Sequence, residues 1–444
     1  MSSPQGFARG PVARSGAGVL GIYAESSSAP SDGLVFDPDT GEVKSDGWSY
    51  AAALVERYAL QAQARKSMLE QWYRDGKQGK AHRVTRCRRW LRPRGKGQVP
   101  YAEVYRHVDT GRAFFSGTEI CASAWACPVC SAKIAERRAE EIRRAVDAWI
   151  AEGGICLFVT LTVPHELVDA LAPMVQRFRR ALQLFRGGRG GKAINDALAS
   201  IGLVRAMETT WGDEHGFHPH SHEIWFCRPG RVPLDDIIAR WQDSAQAAGF
   251  QRPHDLYGVR VKVAESSEQA AAALADYLTK LGKELPEDGR PLWGVAEELA
   301  KAHSKRGRFR SMTPFDFLRA QYDPQVSPDQ RARFRELFAE YVAAFKGVAQ
   351  VYWSRGLKAR FEVEDRTDEE TAEESRESAD RLARLDIEEW ERLFARRSDH
   401  RASLLIIAQN GGADALRSFV DSLPPLLLVI PHDQAAIPSL HPGQ

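Results

Sequence analysis

His218-Pro219-His220-Ser221-His222 sits within residues 218–227, a run that otherwise reads as a β-strand. Side chains alternate faces along a strand with a period of two, so His218, His220, His222, Ile224 and Phe226 project from one side. Three neutral imidazoles on one face form a platform for a divalent metal ion. The plainer alternative is a half-buried strand whose histidines only hydrogen-bond to their neighbours. Polar groups on an inward face need partners, and the density of imidazoles favours the metal.

Residues 203–211 read as a second strand, joined to the first through a turn at 212–217. With residues 213–215 at the tip, Glu208 falls opposite His220 and on the same face. Two histidines and one carboxylate leave coordination positions open, as a catalytic metal needs. The alternative for Glu208 is a strand carboxylate paired with Arg205. Upstream, residues 155–163 (ICLFVTLTV) form a buried strand and 165–185 a helix that starts after Pro164. Downstream come a helix at 234–248, an alternating strand at 257–264, and a helix at 267–281 with a capping box from Ser266 and Gln269. The order βαββαβα predicts an α+β fold, an antiparallel-centred sheet with helices packed on it. Further helices are expected at 50–73, at 133–151 before the stop Gly153-Gly154, and at 328–345.

A chain of 444 residues exceeds one ordinary core. The expected division is a flexible arm at 1–47, a helical and basic cysteine-bearing module at 48–132, a central domain at 133–285, an accessory region at 286–361, and an acidic segment and tail at 362–444. No apolar run approaches a membrane span, and residues 1–31 lack the apolar core of a secretion signal, so a cytoplasmic protein is expected. The net charge of +2 hides an asymmetry: residues 362–393 hold fourteen acidic and five basic side chains. Three basic clusters oppose them, at 74–94, 177–192 (around Gly187-Gly188-Arg189-Gly190-Gly191) and 301–310. Repeated unbalanced clusters suit a polyanion such as nucleic acid. Arg86, Arg88, Arg89, Arg186, Arg189, Lys305, Arg306 and Arg308 are the candidate contacts.

Cys87, Cys121, Cys127 and Cys130 follow the pattern C-x33-C-x5-C-x2-C. Cys127-Pro128-Val129-Cys130 is a zinc half-site that Cys121 and Cys87 would complete, with His107 the substitute for Cys87. Cys156 and Cys227 lie in apolar strands and are expected to be inert. Tyr277 and Lys280, in Asp276-Tyr277-Leu278-Thr279-Lys280, share a helix face with Ala273. The flanking alanines leave that tyrosine open to a bulky ligand.

Together these features resemble the HUH endonucleases, and among them the rolling-circle replication initiator (Rep) proteins of actinobacterial plasmids. Three ordered stretches carry the likeness: Phe158-Val159-Thr160-Leu161-Thr162, Gly216-Phe217-His218-Pro219-His220-Ser221-His222, and Tyr277-Leu278-Thr279-Lys280. The cysteine knuckle is also similar to that group, and residues 352–357 give a looser echo. The resemblance implies nicking of single-stranded or hairpin origin DNA by Tyr277, assisted by Lys280. The Mn²⁺ or Mg²⁺ ion would be held by His220, His222 and Glu208, with His218 in or beside the shell. It also implies a structural Zn²⁺, a homodimer on DNA, and hand-over to the host helicase and polymerase. Two departures stand out: Ser221 replaces a bulky apolar residue between the paired histidines, and Ala273 replaces a glutamate that some relatives use to end replication. Asp276 and Glu284 are weak substitutes for it. The rival readings are an HUH transposase or relaxase, and a non-catalytic zinc-binding DNA regulator.

Overall fold

The computed structural model describes residues 35–36, 43–44, 46–266, 269–270, 273, 312–395 and 398–426. The chain divides into Met1–Asp46 and Gly47–Gln444. In the first unit, β1 (Val35–Phe36) and β2 (Val43–Lys44) pair antiparallel.

Helix α1 (Asp46–Arg74) buries Leu54, Tyr58, Gln61 and Ala64, a spacing of three and four that keeps one stripe inward. A hairpin of β3 (Ala102–His107) and β4 (Ala113–Ser116) follows. Helix α2 (Pro128–Ala151) begins with Cys127 as its cap and proline in its first turn, where the missing N–H costs nothing. It therefore starts within the knuckle, five residues before the expected position 133.

The next elements are β5 (Ile155–Thr162), α3 (Leu171–Arg186), α4 (Gly188–Ala197), β6 (Gly202–Gly212), β7 (Gly216–Cys227), α5 (Leu234–Ala247) and β8 (Val259–Ala264). The glycine-rich stretch 187–191 is not a loop: it turns α3 directly into α4. A Cβ on Gly191 would stand 2.2 Å from the Arg186 carbonyl oxygen, so only glycine permits the turn.

C-terminal to these lie α6 (Pro314–Tyr322), α7 (Pro328–Ala344), β9 (Val351–Trp353), α8 (Leu357–Arg360), α9 (Asp368–Ala372), β10 (Ala379–Leu385), α10 (Ile387–Arg392) and α11 (Arg401–Ser422). Among the described residues, no helix is long and apolar enough to cross a membrane.

One sheet has the order β8-β5-β7-β6-β9, and every pairing in it is antiparallel. Its two faces bury different helices. On one, Cys156, Phe158, Val204, Ile224 and Phe226 meet Ala139, Ile142, Val146 and Trp149 of α2. The Trp149 ring nitrogen donates to the carbonyls of Ile155 and Cys227, at 3.1 and 3.0 Å, pinning the helix end across two strands. On the other, Leu157, Val159, Leu161 and Trp225 join Met174, Phe178, Leu182 and Phe185 of α3 and Trp241 of α5 in the main core. The expected α+β fold, with antiparallel sheets flanked by helices, is what the chain adopts.

The second sheet, β10-β3-β4, shows what becomes of the acidic segment. Expected as a charged helix or solvated linker, residues 362–393 supply the short charged helices α9 and α10 and also the strand β10, which pairs with β3. The segment thereby belongs to the cysteine module far upstream. Arg401 fastens the same junction. It is fully buried and donates to Asp399, to Gln61 of α1 at 2.8 Å and to the carbonyl of Arg88 at 2.7 Å. Tyr58 and Phe394 lie against its guanidinium. Removing one partner of a buried, hydrogen-bonded ion pair leaves the other charge stranded. Arg401→Ala should accordingly cost about 3–5 kcal/mol in a urea unfolding titration, whereas the exposed Arg74→Ala, which loses only a surface pair with Glu336, should cost less than about 1 kcal/mol.

Candidate functional site

Hairpin register builds the first site. Glu208 pairs with His220 and Ala206 with His222, while on the other side of β7 Thr162 faces His220 and Thr160 faces His222. The Glu208 Oε2 atom lies 3.2 Å from Nε2 of both His220 and His222. The other ring nitrogens are occupied: His220 Nδ1 donates to the His218 carbonyl at 3.0 Å, and His222 Nδ1 stands 3.0 Å from Thr160 Oγ1. Such contacts fix the ring orientation and turn both Nε2 atoms toward the carboxylate. Burial raises the pKa of Glu208, but hydrogen bonds and charge from His220 and His222 outweigh it and hold the carboxyl down at about 2. Three donor atoms facing one point, one of them a carboxylate, suit a divalent cation.

His218 stands beside this group rather than in it. Its Nδ1 is 3.1 Å from Nδ1 of His165, and burial, then His220 and His165, lower its pKa to about 3. His165 was not singled out from the sequence, and neither was the ring-orienting role of Thr160. Pro219 is tolerated in a central strand because β5 pairing stops at His220, leaving the proline a neighbour on one side only. Ser221 faces the opposite side of the sheet. There its hydroxyl donates to the buried Glu223, which also accepts from Trp225 at 2.7 Å and pairs with Arg186. A small polar residue at 221 thus lines a buried ion pair, where a bulky apolar one would not fit the chemistry.

The second site is the cysteine cluster. Sγ of Cys87 lies 3.6 Å from Cys130 and 3.8 Å from Cys127, and Cys121 lies 3.7 Å from Cys130. All four are buried and none forms a disulfide, so Cys87 is the fourth member; His107 turns instead to Glu374. Cys127 accepts from the Cys130 amide and from Gln61 at 3.2 Å. Hydrogen bonds from the other three thiols hold Cys87 well below the usual thiol range. Cys121 is held above it by its thiol neighbours, and Cys127 by burial. Without a cation, ionisation is favoured at Cys87 over Cys121 and Cys127, and a bound metal ion would favour the thiolate form of its ligands. Cys156 and Cys227 are buried in strands with pKa values raised to about 12 by burial, as inert thiols should be.

The arginines expected to meet a polyanion divide sharply. Arg88 is buried, donating to the Phe115 carbonyl at 2.8 Å and to Thr118 and the Ala372 carbonyl, so it presents nothing to DNA. Arg89 pairs with Glu391, Arg86 with Glu119, and Arg186 with Glu223. Nearby, Glu369 takes Arg83, Glu373 takes Arg92, Asp368 takes Arg138, and Glu374 takes Lys133. Three arginines of the first basic cluster, Arg83, Arg89 and Arg92, thus pair with the acidic segment within the chain. Arg189 is exposed. Tyr277, Lys280, Asp276, Glu284, Lys305, Arg306 and Arg308 lie outside the described residues. Ser266 does cap the helix start, accepting from the Gln269 amide, while the Gln269 side chain accepts from the Glu265 amide. Ala270 and Ala273 belong to the apolar cluster on the histidine face.

Two outcomes follow. Purified protein should carry about one tightly held metal ion on the four cysteines, and Cys127→Ser should release it and lower the midpoint of thermal unfolding, both read by elemental analysis and calorimetry. Acid should also loosen this module. His82 Nδ1 accepts from the Val84 amide, and burial, with Lys346 and Arg83, lowers its pKa; burial likewise lowers that of His400. The unfolded chain therefore takes up more protons below the ordinary histidine value of 6.5, and stability falls as pH drops through that value. A melting temperature with no greater acid sensitivity in wild type than in His82→Gln/His400→Gln would contradict this.

No family model matches the chain, and no solved structure matches it. Two curated proteins do. One, named "Protein rep", from Streptomyces lividans, is 28% identical over 312 residues, covering 57% of this chain and 66% of that protein. The other, named "Neomycin resistance protein", from Streptomyces cyanogenus, is 25% identical over 231 residues, 41% of this chain and 52% of that protein. The chain thus spans under two thirds of the first relative's length and about half of the second's. Over more than half its own length it is similar to a Streptomyces Rep protein, in agreement with the resemblance carried by the ordered motifs.

Proposed function

We propose that this chain is a plasmid replication initiator that nicks one strand of single-stranded or hairpin origin DNA by transferring a phosphodiester bond to Tyr277. The observation that supports this best is the convergence of Glu208, His220 and His222 on the sheet face where Ala270 and Ala273 pack. Positions 270, 273 and 277 are spaced three and four apart in the sequence, as residues of one helix face are, while Tyr277 itself lies outside the described residues. The similarity to a protein named for replication agrees with it.

Glu208, His220 and His222 would hold Mn²⁺ or Mg²⁺, with imidazole ligation suiting Mn²⁺ better, and the ion supplies Lewis-acid polarisation of a phosphate oxygen. Tyr277 Oη attacks phosphorus and the P–O3′ bond breaks, leaving a 5′-phosphotyrosine and a 3′-OH that primes synthesis by the host polymerase. Phenol is a poor nucleophile while protonated; Lys280, one turn on, favours its ionisation and screens charge building on the phosphate. Because the phosphotyrosine retains the energy of the phosphodiester, the reverse reaction rejoins the strand without a cofactor. Ala273 offers no base for a water molecule, so termination requires another group or a second copy of the chain. The four-cysteine cluster would hold Zn²⁺ as a closed, structural site. Arg189 and the basic residues Lys305, Arg306 and Arg308 would contact the DNA backbone, giving salt-sensitive affinity.

The test is a labelled origin oligonucleotide incubated with the protein and Mn²⁺, run on a denaturing gel. Wild type should form a covalent adduct, Tyr277→Phe none, and His220→Ala should form it about a thousandfold more slowly. A metal-binding DNA regulator would retard the oligonucleotide on a native gel and form no adduct; an adduct mapping to another residue would likewise overturn the assignment.

A further inference from the structure

The histidine face does not end at the metal ligands. Strand β8 is the outer edge of the sheet, and its register with β5 sets Arg260 opposite Thr160, which faces His222 on its other side. Arg260 therefore projects from the same face as the imidazoles, its Cα about 10 Å from that of His222, two strand spacings away. Lys262 follows on the same face, opposite Phe158. Both side chains are exposed, and among the described residues Arg260 has no ion-pair partner.

The turn leading into β8 carries aromatic surface to the same corner. Tyr257 is 61% exposed and Leu256 70%, and the His254 ring lies 4.9 Å from the Tyr257 ring at an interplanar angle of 34°. This turn is held firmly. The Tyr257 carbonyl accepts from Thr162 Oγ1 at 2.8 Å, the His254 carbonyl accepts from the Gly258 amide at 2.8 Å, and His254 Nδ1 accepts from the Leu256 amide. A Cβ on Gly258 would meet Pro253 at 2.7 Å, so the backbone closes as tightly as glycine allows. Thr162 itself pairs with His220, which ties the aromatic pair to the metal ligands through one strand. Exposed rings on a rigid turn, beside the exposed Arg260, match a partner with flat bases and a phosphate backbone.

We propose that β8 and the turn before it form the track for the single-stranded DNA flanking the reacting phosphate: Arg260 holds a neighbouring phosphate, and the Tyr257–His254 pair is a platform on which a base stacks. Duplex DNA presents its bases only at their edges and cannot use that platform. The inference rests on the nicking reading for which strand is bound, but its test does not depend on nicking.

Binding of a fluorescent single-stranded oligonucleotide to the full chain would be followed by anisotropy in EDTA, with the same sequence as a duplex in parallel. Tyr257→Ala should weaken single-strand binding about tenfold and leave duplex binding unchanged. Arg260→Gln should weaken it and flatten the slope of log affinity against log salt by about 0.7, the share of one single-strand phosphate. Arg143→Gln, which removes an exposed arginine paired with Glu140 on α2, serves as the charge-matched control and should do neither. Wild-type affinity in both the Tyr257 and Arg260 variants, an equal loss in the Arg143 control, or an equal loss on duplex DNA would each overturn the track. If Tyr257→Ala loses single-strand affinity while wild type forms no adduct with Mn²⁺, the nicking reading falls and the track stands; normal adduct formation with unaltered binding in both the Tyr257 and Arg260 variants sinks the track alone.

Discussion

The pairing of Glu208 with His220 across one antiparallel hairpin is the contact on which the candidate chemistry depends. A shift of one residue in that register would send Glu208 to the opposite face and leave two imidazoles without an anionic partner. Several features hold it. The turn is only three residues long, β7 is flanked by β5 and β6 along the stretch that matters, and the apolar alternation of Ile224 and Phe226 can be buried against α2 in one register only. The same alternation that seats Phe226 in the core places His222 and His220 at the margin of that core. Burial of about 1.5–3 kcal/mol per large apolar side chain thus fixes the position of groups that contribute little stability themselves.

Charge is distributed with comparable consequence. A formal net charge of only +2 conceals a chain whose acids and bases are separated by hundreds of residues and reunited in the fold: β10 draws the acidic segment alongside the cysteine module, where Glu369, Glu373 and Glu374 meet Arg83, Arg92 and Lys133. Exposed pairs of this kind are worth about 0–1 kcal/mol each, so their main effect is not stability. They decide which cations remain available to a polyanion. Among the described residues, exposed arginines of the sheet domain without an acidic partner include Arg189 and Arg260.

What could be read in advance followed from distance along the chain. The hairpin, its tip and the Glu208–His220 pairing are local, and a period of two with a short turn specifies them. The sheet's helices, the cap at Ser266 and the inertness of Cys156 and Cys227 were legible for the same reason. Thr160 and His165 were not, because their roles arise from pairing between β5 and β7, which are separated by two helices and a strand. The strand inside the acidic segment, where a charged helix or solvated linker is expected, was not legible because ADRLARL has no apolar alternation of its own and becomes a strand only when β3 offers it hydrogen bonds. Arg401 was invisible for a related reason: apart from the neighbouring Asp399, its partners Gln61 and Arg88 reach it only in the finished core.

The two metal-suited sites differ in kind, and α2 joins them. Four mutually close thiols leave no coordination position open, as a structural site requires, whereas two imidazoles and one carboxylate leave several. The first turn of α2 carries Cys130 and is capped by Cys127; its last turn is pinned by Trp149 to the ends of β5 and β7. A helix of 24 residues spans about 36 Å, so fixing its start orients everything packed along it. Gln61 donates to Cys127 and accepts from Arg401, which extends the same constraint into α1 and the C-terminal helix α11. A cation at the cysteines would therefore stiffen the helix that covers the lower half of the histidine face. The chemistry proposed for that face needs such a backing, because two ring nitrogens and one carboxylate oxygen hold a common point only if the strands beneath them do not move.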